Sequence, residues 1–245
     1  MLKAKIKLFL QGLFGFERYL YYFSLFKIRT LKWDSNEKDI FLFIEQLKKK
    51  NADSLVLDVG ANIGIMTGII GKTTNYTIHA FEPLPVNYGV LEKIVKKLNL
   101  NNRVTLHQIA LGFETGFCEM VLPMVQNVKM HGLSHVVDPS ITEFNDGIIT
   151  QKIPMDTLDN VMKSKTISGI KLDVENYEFN VLKGAENILK NQKPIIYTEL
   201  WDNENRLNCF SFLRGLGYTS YYNKNGQLVP FTENTAPGQT FFFLA

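Results

Sequence analysis

The sequence predicts an α/β fold built on a mostly parallel sheet with helices on both faces, and three stretches carry that expectation. LVLDVGANIG (Leu55 to Gly64) is an apolar, β-branched run holding one acid, Asp58, and it breaks at Gly60. A buried parallel strand has this composition where it hands over to a turn and helix. A strand–helix–strand pattern recurs in ISGIKLDVENYEFNVLKGAENILKNQKPIIYTEL, Ile167 to Leu200. The chain closes on Tyr218 to Tyr222, an Asn225-Gly226 step and TFFFLA, which read as an antiparallel pair because Asn-Gly is a strong hairpin signal. In open α/β sheets ligands sit beyond the carboxyl ends of the strands, so the turn at Gly60 is a candidate site by position alone.

Taken in order, the chain begins with a basic and then aromatic segment. Seven basic residues up to Lys32 (Lys3, Lys5, Lys7, Arg18, Lys27, Arg29, Lys32) face one acid, Glu17, so a formal charge of +3 divides into a basic start and a mildly acidic body. An acidic body argues against a nucleic-acid surface there. Gln11, Glu17 and Arg18 interrupt the apolar run, which therefore falls short of the roughly twenty residues of a membrane span, and no small-residue cleavage pattern follows. Residues 1–32 are expected either to pack as a helix or helix pair on the domain or on a second copy, or to lie as an interfacial helix on an anionic membrane; the first is the plainer reading. A homo-oligomer therefore stays open. Residues 1–50 are taken as an extension and 51–245 as the main domain.

Asp34 and Ser35 are placed to cap a helix over about Glu37 to Lys50, with Ile40, Phe41, Phe43, Ile44 and Leu47 on an apolar stripe. After the glycine turn come a helix over about Ile65 to Gly71 and a strand over Thr77 to Phe81, ending in Glu82-Pro83. A helix is expected over Asn87 to Leu98 and a strand over Val104 to Leu111, with Ile109-Ala110 at its end. Strands follow at Gly116 to Leu122 and Ile148 to Met155, and a short helix at Thr157 to Met162. Pro123 to Thr150 has weak periodicity and holds His131, Ser134 and His135, so 123–150 reads as a lid or insertion. One helix over Tyr177 to Leu189 and another over Asn205 to Leu216 complete the pattern. Cys118 and Cys209 are isolated, without CxxC spacing or a neighbouring His pair, which fits a reduced, cytoplasmic setting.

The glycine turn narrows the ligand. Gly60-Ala61-Asn62-Ile63-Gly64 lacks the G-x-G-x-x-G spacing that lets a backbone approach a pyrophosphate, which disfavours an NAD-linked oxidoreductase, and no Gly-Lys-Ser/Thr follows to make a P-loop. A nucleoside ligand without phosphates suits what remains. Glu82 lies about twenty residues beyond the turn, at the end of the next strand, where an acid accepts hydrogen bonds from ribose hydroxyls. Ile109-Ala110 is a natural wall for an adenine ring.

LDVGANIG, AFEPLP, PMDTLD and IKLDVENYEFNVLKGA with KPIIYTEL, in that order over about Asp53 to Leu200, resemble the FkbM family of S-adenosylmethionine-dependent methyltransferases. The resemblance implies a Rossmann-like class I methyltransferase fold: a mostly parallel seven-stranded sheet with a C-terminal antiparallel hairpin strand. It also implies S-adenosyl-L-methionine as cofactor, with Asp58, Gly60, Ala61, Asn62 and Gly64 lining its methionine part, Glu82 on the ribose and Ile109 and Ala110 at the adenine. Asp173 stands where the family's DVEG begins. The glycine usual after Val-Glu is Asn176 here, and a side chain at that point is expected to reshape the acceptor pocket.

Methyl transfer to a hydroxyl needs a base, and Asp173, at a strand end beside the turn, is the first candidate for base or orienting group, with Glu175 and Glu199 as alternatives. The competing structural role for Asp173 is a helix N-cap. Asp173, Glu199 and Asp202 have the oxygen chemistry of a divalent-ion site, but carboxylates on adjacent strand ends are common without metal, and no metal is assigned. The expected activity is O-methylation of a small-molecule or glycan hydroxyl; a non-catalytic protein docking through its N-terminus is the competing class.

Overall fold

A computed structural model describes residues 11–34, 37–50, 53–122, 124–125, 128–129, 135–136, 148–232 and 238–245. Helices α1 (Phe16–Thr30) and α2 (Ile40–Leu47) precede the alternating units β1 (Leu55–Val59), α3 (Ile65–Thr73), β2 (Thr77–Phe81), α4 (Pro85–Lys97) and β3 (Val104–His107). Six short or excursion strands follow: β4 (Ala110–Leu111), β5 (Gly116–Leu122), β6 (Met124–Val125), β7 (Val128–Lys129), β8 (His135–Val136) and β9 (Ile148–Asp156). The chain then returns through α5 (Leu158–Val161), β10 (Ile167–Leu172), α6 (Glu178–Lys183), α7 (Glu186–Gln192), β11 (Ile195–Glu199), α8 (Glu204–Gly215), β12 (Thr219–Lys224), β13 (Gln227–Pro230) and β14 (Thr240–Leu244).

The main sheet has the order β13-β12-β14-β11-β10-β1-β2-β3. β3, β2, β1, β10 and β11 are mutually parallel, and β14 runs antiparallel between β11 and β12. TFFFLA thus closes the sheet as an inserted antiparallel strand, as expected. The Asn225-Gly226 turn leads instead to β13, which pairs with β12 and makes the sheet eight-stranded rather than seven-stranded. Strand alternation sorts the core into two layers. Leu57, Val59, Phe81, Leu172, Ile196 and Phe243 face one side, and Val56, Ile78, Ala80, Tyr197 and Phe242 face the other. α2 covers the second side, its Phe43 ring 5.5 Å from that of Tyr197.

Three sequence expectations are corrected here. The strand expected over Val104 to Leu111 divides after His107, because β4 leaves the main sheet to pair with β9 in a second sheet of order β4-β9-β5-β8. The helix expected over Tyr177 to Leu189 is two helices. Gly184 lies between them, and a Cβ there would overlap the carbonyl oxygen of Gly112, so the backbones approach at this break. The helix expected over about Glu37 to Lys50 has its α-helical core only over Ile40–Leu47.

α1 lies against the domain. Leu20 and Leu25 pack with Ile63, Val90 and Ile94, and the Ser24 hydroxyl donates to the Ile63 carbonyl at 2.9 Å. The inner face of this helix is therefore fixed to the loop that follows β1. Among the described residues no helix is long and apolar enough to cross a membrane. Most of the expected lid, including His131 and Ser134, lies outside the described residues, as does the side chain of His135.

Candidate active site

β1 ends at Val59, and the chain turns through Gly60 at φ +76°, where a Cβ would overlap the carbonyl oxygen of Asp173. Glycine is required here both by the left-handed backbone and by this approach of the turn to the end of β10. The turn is pinned to β2: the amides of Gly60 and Ala61 donate to the Phe81 carbonyl at 3.1 and 2.9 Å, and that of Asn62 donates to Glu82 Oε2 at 2.9 Å. Glu82 Oε1 accepts from the Leu84 amide at 3.0 Å and from Asn87 Nδ2 at 3.4 Å. Burial pushes the Glu82 carboxyl up to about 7, against the pull of those donors.

These elements line an open cavity, the concave setting in which small-molecule sites are found. Of the residues singled out in the sequence, Gly60, Asn62, Glu82, Ile109, Ala110, Asp173 and Glu175 line it together. Phe81 and Tyr177 add aromatic wall, and Met120 and Val136 reach it from the second sheet, Met120 on the strand before the expected lid and Val136 on a strand within it.

Four expected residues stand elsewhere. Asp58 is fully buried and accepts from the Thr67 hydroxyl at 2.5 Å, since strand alternation turns it away from the side that bears Leu57 and Val59. Ala61 belongs to the core layer on the far side of the sheet. Gly64 opens α3 and packs against Leu91. Glu199, exposed at the end of β11, is not among the lining residues.

The sequence reading missed Lys171. Its Nζ donates to the Gly60 carbonyl at 2.8 Å and lies 3.4 Å from Asp58 Oδ1 and 3.5 Å from Asp173 Oδ2. Burial alone would lower the pKa of this ammonium group, but the two carboxylates outweigh it and hold the pKa above its ordinary value. A lysine flanked by apolar residues in a predicted buried strand was the available signal, because a buried charge requires a partner.

Asp173 does not act as an N-cap. Its amide donates to the Val59 carbonyl at 3.1 Å, while Glu178 Oε1 accepts the amides of Val174 and Asn176 at 3.1 and 3.2 Å. Glu175 and Asn176 both have positive φ, +55° and +73°. Asparagine tolerates this region better than most residues, which explains its presence where the related motif has glycine. The Asn176 side chain accepts from Asn203 Nδ2 at 2.7 Å and is absent from the cavity wall, so the expected reshaping of the pocket by Asn176 is not seen. Asp202 pairs with Arg206 at 3.1 Å. Among the described residues no three His, Cys, Asp or Glu side chains converge as a metal site.

A parallel sheet closed by an inserted antiparallel strand, with a glycine turn after its central strand and a buried acid at the end of the next, is the class I methyltransferase fold. The Methyltransferase FkbM domain model matches residues 58–220, and the chain belongs to that family. Methyltransferase 1 of Beauveria bassiana (strain ARSEF 2860) is 26% identical over 149 residues, covering 55% of this chain and 59% of the relative. The crystal structure of methyltransferase FkbM from Methylobacillus flagellatus KT superposes with a TM-score of 0.54 at 18% identity, covering 79% of this chain and 44% of that one. The matches thus span less than two thirds of either relative.

The family implies S-adenosylmethionine as cofactor, and the cavity fits it. Asn87 Oδ1 is buried without a hydrogen-bond partner, on a residue of the cavity wall beside Glu82. Such an acceptor is suited to a ribose hydroxyl. Asn87 is a second site residue that the sequence reading missed: it lay at the start of a predicted helix, with nothing in the periodicity to mark it.

Proposed function

We propose that this chain methylates a hydroxyl of a sugar, a glycan or a related hydroxyl-rich metabolite. The observation that carries this reading is a pair of carboxyl groups, those of Asp173 and Glu175, on residues lining one cavity. Glu175 is pushed up to about 9, first by burial and then by the negative charges of Asp173, Glu178 and Glu199, so it is protonated near neutral pH. Asp173 is part-exposed and faces Lys171. Asp173 takes the proton of the attacking hydroxyl, and Glu175 donates a hydrogen bond to a neighbouring oxygen of the acceptor. A polyol offers both groups.

S-adenosylmethionine, when bound, supplies a methyl group made electrophilic by its sulfonium. Gly60, Asn62, Glu82 and Asn87 hold and orient it, and Ile109 and Ala110 give the apolar wall for its base. Orientation of the two reactants is worth up to roughly 7–11 kcal/mol, and a positioned base a further factor of about 10² to 10⁴.

The test has two parts. Calorimetry with S-adenosylhomocysteine should show binding that Glu82→Ala abolishes and that NADH does not reproduce. Methyl-labelled S-adenosylmethionine offered with a panel of glycans and amines should label a hydroxyl. Asp173→Asn should then lower kcat by about 10² to 10⁴ while S-adenosylhomocysteine affinity is kept. Labelling of amines alone, or an Asp173→Asn enzyme with unchanged kcat, would overturn the reading.

A further inference from the structure

α1 has a second face that the catalytic domain does not use. Leu20, Ser24 and Leu25 are buried against the domain, whereas Arg18, Tyr22, Phe26 and Arg29 are exposed. Their spacing of four, four and three residues puts them on one side of the helix. Tyr22 is 56% and Phe26 60% exposed, and Trp33, just beyond the helix, is 72% exposed. Phe14 extends the same apolar surface, its ring 5.9 Å from that of Tyr22. Large apolar side chains gathered in one patch are unusual on a surface that meets only water.

The charged side chains on the exposed face itself are basic. Arg18 and Arg29 lie within it, and Lys32 sits 4.3 Å above the Trp33 ring. The acids that adjoin this face are paired with other lysines, Glu17 with Lys93 at 3.2 Å, and Asp34, with Glu37 beyond it, with Lys27. The sequence ahead of the helix adds Lys3, Lys5 and Lys7, while the rest of the chain beyond Lys32 carries a net formal charge of −3.

We propose that this face docks the protein peripherally on an anionic lipid bilayer. The fifteen residues of α1 give a contact about 22 Å long. Tyr22, Phe26 and Trp33 enter the headgroup boundary, and Arg18, Arg29 and Lys32 meet lipid phosphates and carboxylates. A second copy of the chain would bring the same positive charges against themselves, which disfavours self-association through this face. Because Ser24 is bonded to Ile63 in the loop after β1, docking fixes the catalytic domain on the membrane rather than on a loose tether. The inference is independent of which acceptor the cavity takes.

Vesicle flotation of the full chain tests it, with phosphatidylcholine alone and with about one third phosphatidylserine. The expected result is flotation with the anionic vesicles only, weakened by salt as the Debye length shrinks. Tyr22→Ser/Phe26→Ser and, separately, Arg18→Glu/Arg29→Glu should each reduce it at least about tenfold, with S-adenosylhomocysteine affinity and thermal midpoint unchanged. Equal flotation of the variants, or none of the parent chain, would overturn the proposal. So would a parent chain that is dimeric in light scattering and becomes monomeric in Tyr22→Ser/Phe26→Ser, since a second copy would then own the face.

Discussion

Glu82 joins the two halves of the site, because one carboxylate holds the Asn62 amide of the first turn and the Leu84 amide of the second. Its raised pKa sets the sign of two effects. Between the ordinary value of 4.5 and about 7 the folded protein keeps a proton that the unfolded chain has lost. The stability contributed by this group is therefore complete at low pH and is lost as pH rises through about 7. Glu178, also pushed up to about 7 by burial, acts in the same direction. Ligand binding runs the other way, since the ionised carboxylate is the stronger acceptor for ribose hydroxyls. Affinity for S-adenosylhomocysteine should rise as pH passes about 7 and level off above it, and Glu82→Gln should remove that rise. Calorimetry across this range decides it, and a pH-independent affinity in the parent chain would refute the role.

At the scale of elements, the break between α6 and α7 exists because two backbones need the same space. Gly184→Ala would drive a Cβ into the Gly112 carbonyl, where no flexible side chain can yield. The variant should lose about 1–3 kcal/mol in urea denaturation, whereas Gly215→Ala, with open space around its Cβ position, should lose much less. This break also marks where the sequence stopped being legible. β1, β2 and β10 were readable because apolar runs bounded by glycine or acids have no other stable placement, and Glu82 and Asp173 followed from being the first polar groups after them. The division of the third strand was not readable, since both Val104 to His107 and Ala110 to Leu111 suit a strand and only the distant partner β9 decides which sheet the second joins. Lys171 and Asn87 were passed over for a related reason: each takes its meaning from a partner on another strand or turn. The family resemblance places Asp58 at the cofactor, whereas alternation along β1 turns it away from the side that bears Leu57 and Val59.

For the molecule as a whole, the stability of the sheet centre rests on an ion ladder on the side of the sheet opposite Leu57, Val59, Ile170 and Leu172. Lys171 on β10 is in register with Asp58 on β1, both almost wholly buried, and Asp173 and the Gly60 carbonyl complete the set. The arrangement couples folding to the site, because the same ammonium group balances a core carboxylate and anchors the turn that lines the cavity. Lys171→Met keeps most of the apolar stem but leaves Asp58 in the core without its cation. Breaking one side of a buried pair costs about 3–5 kcal/mol, a large fraction of the about 5–15 kcal/mol that holds a domain folded. Removing both charges is far cheaper than removing one, so Asp58→Asn/Lys171→Met should recover a good part of that loss. Urea midpoints of the parent chain, the single variant and the double variant measure the coupling. If the single variant denatures at the parent midpoint, or the double variant is no more stable than the single one, the ladder is not what holds the centre of the sheet. S-adenosylhomocysteine affinity supplies the second readout: it should fall in both variants, since each releases the Gly60 carbonyl, even where the double variant has regained its stability.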